Sequence, residues 1–136
     1  MADKKIIAVM GATGAQGGGL VRAIQGDKAG EFQARAITRN PNSEKARALA
    51  ALGAEVVAGD ADDETSLHRA FEGAWGAFCV TFYWEHFSPE KEIAQVAALA
   101  RSTGAANLKH VVWSTLEDSR KWIPVDDPRM PTLFGK

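Results

Sequence analysis

An unbroken apolar run, Lys5–Met10 (KIIAVM), stops at Gly11, and glycine returns at positions 14 and 17. No other feature narrows the possible folds as much. An apolar stretch without alternation suits a strand buried on both faces, as in a parallel sheet. After the triplet the pattern turns helical, with Leu20 and Ile24 four apart and Val21 beside them. Strand, glycine turn and helix in that order are the setting of a phosphate-binding loop. Gly11 allows the sharp turn, Gly14 lets the backbone approach a pyrophosphate, and Gly17 lets the helix pack closely on the strand. The helix N-terminus supplies N–H groups and partial positive charge, and Thr13 adds a hydroxyl. The spacing is GxxGxxG rather than GxGxxG. Gly18 and Gly19 exceed what such a turn needs and cost helix propensity.

The rest of the chain repeats the alternation. A second strand is expected at Phe32–Thr38. Asn40 and Pro41 read as the cap and first turn of a helix that runs to Leu52 and ends at Gly53. Ala54–Ala58 reads as a third strand. Asp62, Asp63 and Glu64 open the next helix, with Leu67, Ala70 and Phe71 on one side. Ala77–Phe82 is expected to be the fourth strand. Ser88 and Pro89 then open a helix whose apolar residues Ile93, Val96, Ala97 and Ala100 recur at i, i+3, i+4 and i+7, closed by Gly104. His110–Ser114 is the fifth strand.

Strands alternating with helices imply parallel strands joined by right-handed crossovers. The expected fold is α/β, a Rossmann-type doubly wound parallel sheet with five strands in the order 3-2-1-4-5. The boundaries that follow are a dinucleotide-binding domain over 1–114 and a Pro-rich tail over 115–136. Such a sheet normally continues to a sixth strand, so the domain reads as truncated, its tail leading to an absent C-terminal part.

The end of the second strand bears on the cofactor. An acidic residue about 20 residues past the glycines would bind a ribose 2′-OH and select NAD. Thr38-Arg39-Asn40 offers no carboxylate there. Arg39 instead presents a planar fork suited to a 2′-phosphate, with hydrogen bonds available from Thr38 and Asn40. A charge-assisted contact contributes about 1.5–3 kcal/mol, roughly a tenfold to hundredfold preference. NADP(H) is therefore expected over NAD(H). Lys45 and Arg47 read as solvated helix residues.

Composition excludes other classes. The 136 residues carry 16 Lys or Arg against 17 Asp or Glu, a formal charge of −1. Nucleic-acid domains normally carry a basic excess, so no direct nucleic-acid contact is expected. No apolar run approaches the ~20 residues that span a bilayer, and the N-terminus lacks a signal-peptide pattern. A single cysteine excludes an internal disulfide and fits a reducing cytoplasm. Cys79, inside an apolar strand, reads as an inert buried thiol. Asp60, Asp62, Asp63 and Glu64 read as helix-opening charges rather than a metal site, and His68, His86 and His110 show no ligand spacing. Trp75 and Trp113 suit core packing. Trp84, at a strand exit, suits either the core or the rim of a cofactor or partner site.

Five segments taken together, MGATGAQGG, AITRNP, AGDADD, VTFYWE and VVWSTLED, resemble the NmrA-like family of atypical short-chain dehydrogenases/reductases. The resemblance runs from about Lys5 to Lys136 and covers the N-terminal half of a usual member. It implies a Rossmann domain that binds NADP(H). On that likeness Gly11, Thr13, Gly14, Ala15, Gln16 and Gly17 form the phosphate loop, and Arg39 meets the 2′-phosphate. Asp60 and Ala61 border the adenine. Thr81, Phe82 and Tyr83 lie along the nicotinamide-side ribose, with Ser114 and Thr115 near the nicotinamide.

Members of this family resemble redox sensors whose cofactor alters association with a regulatory protein partner, or isoflavone- and quinone-reductase-like enzymes. A short-chain reductase normally carries Tyr-x-x-x-Lys. The one tyrosine here is Tyr83, and Phe87 stands four residues on. The expected function is therefore an NADP(H)-binding sensor domain with little or no catalysis. The alternative is the N-terminal half of an NADPH-dependent reductase. Strand five is expected at an edge, with Val111, Val112 and Trp113 partly uncovered, which invites self-association.

Overall fold

The apolar N-terminal run becomes the central strand of a parallel sheet. The protein's structure, a computed structural model, describes residues 3–130. Strand β1 (Lys5–Val9) pairs with β2 (Phe32–Thr38) on one side and β4 (Gly76–Cys79) on the other, so that Val9 lies opposite both Ala36 and Phe78. Strand β3 (Glu55–Ala58) extends the sheet beyond β2, and β5 (His110–Trp113) extends it beyond β4. The order is β3-β2-β1-β4-β5, all parallel.

Helices cover both faces. Val21 of α1 (Ala15–Gly26) and Leu49 of α2 (Glu44–Ala51) pack with Val9, Ala34 and Ala36 on one side. Leu67 and Phe71 of α3 (Glu64–Phe71) and Leu99 of the long helix that follows β4 pack with Ala8, Ile37 and Cys79 on the other. Central strands buried on both faces are why Lys5–Met10 carries no polar alternation. No helix among the described residues is long and apolar enough to cross a membrane.

Three local expectations need correction. Asn40 and Pro41 do not open α2. Asn40 folds into its own turn, its Oδ1 accepting from Asn42 N at 3.1 Å, and Ser43 is the cap, accepting from Ala46 N at 3.1 Å. The fourth strand ends at Cys79 rather than Phe82, because the chain turns after Thr81 into a one-turn helix, α4 (Tyr83–His86). The stripe Ile93, Val96, Ala97 and Ala100 is not the inner face of α5 (Pro89–Ala105). Ile93 is 69% exposed and Val96 39%, while Gln95, Ala98, Leu99, Ser102 and Thr103 are buried. Small residues at 98 and 102 suit close packing on α3, and that packing, not summed hydrophobicity, sets the helix's rotation. The tail contains a short 3₁₀ turn at Ser119–Lys121. The end of the 115–136 segment, including Pro131 and Lys136, lies outside the described residues.

Strand β5 is one edge of the sheet among the described residues, and β3 is the other. Val111 and Trp113 pack against the core on the α3 and α5 side and are half-buried, and Val112 is 47% exposed, so all three are partly uncovered as expected. Trp75 lies at the opposite end of the sheet from the strand C-termini, its ring 5.6 Å from Phe32 and 6.3 Å from His110.

Candidate functional site

The turn after β1 is built as glycine permits. Gly11 sits at φ +59°, in the left-handed region. A Cβ on Gly17 would lie 2.4 Å from the Gly11 carbonyl oxygen and 2.9 Å from that of Met10, so only glycine lets α1 start this close to the end of β1. Gly18 is also confined, with the Ala12 carbonyl oxygen 3.1 Å from a built Cβ. Gly19 meets nothing within 4 Å, and no contact explains it.

The helix that the turn opens differs from its neighbours. Ser43, Asp63 and Ser88 cap α2, α3 and α5 with their side chains, and each of those helices has an acidic residue in its first turn. Helix α1 has neither. Gly14 is its N-cap, with no side-chain bond and no acidic residue in the first turn. Its positive end and leading N–H groups are thus left uncompensated by the protein, an arrangement suited to an anion.

A cleft of about 330 Å³ opens at this end of the sheet. Gly11, Thr13 and Gly14 form one wall, Arg39 another, and Asp60, Ala61 and Phe82 close it. Gly11, Thr13, Gly14, Arg39, Asp60, Ala61 and Phe82, all singled out from the sequence, thus share one cavity, drawn from the ends of β1, β2, β3 and β4. This is the C-terminal edge of the strands, where open α/β sheets bind ligands.

Ala15, Gln16, Gly17, Thr81, Tyr83, Ser114 and Thr115 do not line it. Ala15, Gln16 and Gly17 continue the loop into α1. The Thr81 hydroxyl is committed to Glu92 Oε1. Tyr83 begins α4, its ring 5.7–5.9 Å from those of Trp84, His86 and Phe87. Ser114 follows β5 and donates to Gln16 Oε1 at 2.7 Å.

Several cleft residues were not legible in the sequence. Lys45, read as a solvated helix residue, lines the cleft with Arg39. Glu85 does too, and its carboxylate accepts two hydrogen bonds from the Arg39 guanidinium, both at 2.9 Å. The Arg39 guanidinium carbon also stands 5.9 Å from the Phe82 ring centre. Asp62, Lys91 and Gln95 form the far wall. Gln95 donates to Asp62 Oδ1 at 2.9 Å and Lys91 approaches Oδ2 at 3.1 Å. The Gln95 hydrogen bond, followed by Lys91, holds the Asp62 carboxyl below the ordinary carboxylate range.

The acidic run at 60–64 is accounted for by such contacts. Asp60 Oδ1 accepts from Asp62 N, Asp63 caps Ser66 N, and Glu64 pairs with Arg101 at 2.8 Å. Cys79 is fully buried, and burial pushes its thiol up to about 12.

The NmrA-like family profile matches residues 3–136. The chain is 39% identical over 122 residues to the NmrA-like family domain-containing oxidoreductase notA' of Aspergillus versicolor, covering 86% of this chain and 34% of that protein. Among solved structures it resembles NmrA, a negative transcriptional regulator, in complex with NADP (TM-score 0.75, 28% identity, 90% of this chain and 37% of that one). NmrA in complex with NAD matches equally (TM-score 0.75, 28% identity). Citrobacter sp. triphenylmethane reductase complexed with NADP(H) matches at TM-score 0.74 and 32% identity, over 87% of this chain and 40% of that one. The chain spans about a third of the length of the curated relative it matches.

Proposed function

The chain belongs to the NmrA-like family, and on that premise we propose that its cleft binds NADP(H) and that the domain works as a cofactor-responsive regulatory module. One observation carries the binding reading: the uncompensated N-terminus of α1 and the Arg39 guanidinium border the same cleft. The first suits a pyrophosphate and the second a 2′-phosphate. NmrA and the Citrobacter reductase, both complexed with NADP cofactors, add support. Asp60 and Ala61 then border the adenine, and Phe82 lies toward the nicotinamide half, with Thr81, Tyr83 and Ser114 beyond it. The cofactor itself would supply hydride chemistry. The residues here bind and orient it.

The test is calorimetric titration with NADP⁺ and NAD⁺ in parallel, repeated on Arg39→Ala. Tighter binding of NADP⁺, lost in the variant, is expected. A folded protein that binds neither nucleotide rejects the reading.

The regulatory reading draws on the likeness to NmrA, a negative transcriptional regulator. A regulatory protein partner, bound in a cofactor-dependent way, is part of this proposal, as is a cytoplasmic setting. The alternative is the N-terminal part of an NADPH-dependent reductase, favoured by the curated relative being an oxidoreductase. Turnover of NADPH with quinones or triphenylmethane dyes decides between them. Self-association through the β5 edge is proposed from the exposed Val112 and from the place of β5 at a sheet edge among the described residues. Light scattering at tens of micromolar, with a monodisperse monomer as the contrary result, checks it.

A further inference from the structure

We propose that Glu85 is a built-in competitor for the cofactor's 2′-phosphate, so that the Arg39–Glu85 pair, rather than Arg39 alone, sets the preference between NADP(H) and NAD(H). This rests on the dinucleotide reading above. The two residues come from separate parts of the fold, Arg39 from the end of β2 and Glu85 from α4, and both line the cleft. Arg39 Nη1 and Nη2 donate to Glu85 Oε2 and Oε1, each at 2.9 Å. That is the planar, two-pronged engagement that a phosphate would also use. A 2′-phosphate therefore meets an Arg39 whose outer edge already holds an anion.

The pair is poised to exchange rather than locked. Its side chains are 61% and 49% exposed, so water can take the place of either partner. An exposed pair of this kind shifts an equilibrium by about 1.4- to fivefold. A phosphate carries about −1.5 to −2 charges near neutral pH, enough to displace a single carboxylate. A ribose 2′-OH brings no charge and leaves the pair intact. Glu85 then stays at the cleft with its second lone pairs open, and a carboxylate facing a 2′-OH is the usual NAD-selecting contact. The strand end lacks that carboxylate in sequence, and α4 brings one to the same arginine in space. The preference for NADP(H) is accordingly smaller than Arg39 alone would give.

The experiment measures dissociation constants for NADP⁺ and NAD⁺ by calorimetry on the wild-type chain, Glu85→Gln, Arg39→Ala and the double variant. Gln is nearly isosteric and removes the charge. The expected result is that Glu85→Gln raises the NADP⁺ preference about 1.4- to fivefold, with NADP⁺ bound more tightly and NAD⁺ not. In the Arg39→Ala background the same change should move the preference less than it does in the wild-type background. An unchanged preference in Glu85→Gln, with wild-type binding of NADP⁺ intact, overturns the proposal and leaves the dinucleotide reading standing. An equal rise in both backgrounds also overturns it, because Glu85 would then act by repulsion alone. Failure of the folded wild-type chain to bind either nucleotide overturns the underlying site as well.

Discussion

Ser114 and Gln16, 98 positions apart in sequence, are joined by a 2.7 Å hydrogen bond from the Ser114 hydroxyl to the Gln16 side-chain oxygen. The contact ties the residue after the edge strand β5 to the first turn of α1. Both ends are partly solvated, so its contribution falls at the low end of the usual ~0.5–1.5 kcal/mol for a hydrogen bond. Ser114→Ala should lower the urea midpoint slightly without changing the slope, and amide exchange should quicken in β5 and at Gln16. Unchanged exchange at both places would show that the tie does not hold them.

Neighbouring glycines in α1 should respond in opposite directions. Gly17→Ala forces a methyl to within 2.4 Å of a backbone oxygen and should destabilise by about 1–3 kcal/mol, as overpacking does, while abolishing nucleotide binding. Gly19→Ala meets open space and should stabilise by roughly 0.5–1 kcal/mol through helix propensity. Thermal unfolding of the two variants reads both signs.

Arg35 anchors the sheet to the end of α3. Its Nη1 donates to the carbonyl oxygens of Ala70 at 3.0 Å and Glu72 at 2.6 Å, and Nε pairs with Glu55 at 2.7 Å. Its side chain is only 11% exposed. Arg35→Met keeps the aliphatic stem but leaves the carbonyls without their charged donor, at a cost of about 1.5–3 kcal/mol. Chemical denaturation measures it, and a loss below about 0.5 kcal/mol would mean that water replaces the guanidinium freely.

Cys79 predicts a pH dependence on the alkaline side. Its folded pKa is pushed up to about 12 from 9.0 by burial. The stabilisation linked to it is complete below 9.0 and is lost as pH rises toward about 12. Urea midpoints between pH 8 and 11 should fall more steeply for the wild-type chain than for Cys79→Ala. At pH 8 the native thiol should resist alkylation until urea unfolds the chain, because the reactive thiolate is scarce and enclosed.

The strand and helix order, the parallel sheet and the glycine turn were legible because they rest on local, periodic signals. Leu67, Ala70 and Phe71 read as one face and are one face, all buried. Gly53 read as a helix end and sits at φ +93°. Where the reading failed, a local rule had lost to a competitor. Asn40–Pro41 resembles a helix start, but the Asn40 side chain closes a turn of its own and Ser43 takes the cap. On α5, apolar residues at helical spacing face solvent, because a buried Gln95 and small Ala98 and Ser102 fit the neighbouring wall better.

By itself the sequence determined what depends on neighbours along the chain: which segments extend or coil, where glycine turns the chain after β1 and ends α2, and that an arginine, not a carboxylate, follows β2. Tertiary structure alone decided what depends on distance in space. Lys45 joined the cleft wall, Gln95 was turned inward, and Glu85 was carried on α4 to the Arg39 fork. The reason is physical. Charge pairing and packing act over a few ångströms between residues dozens apart in the chain, as Arg39 and Glu85 are, and no periodicity records that separation.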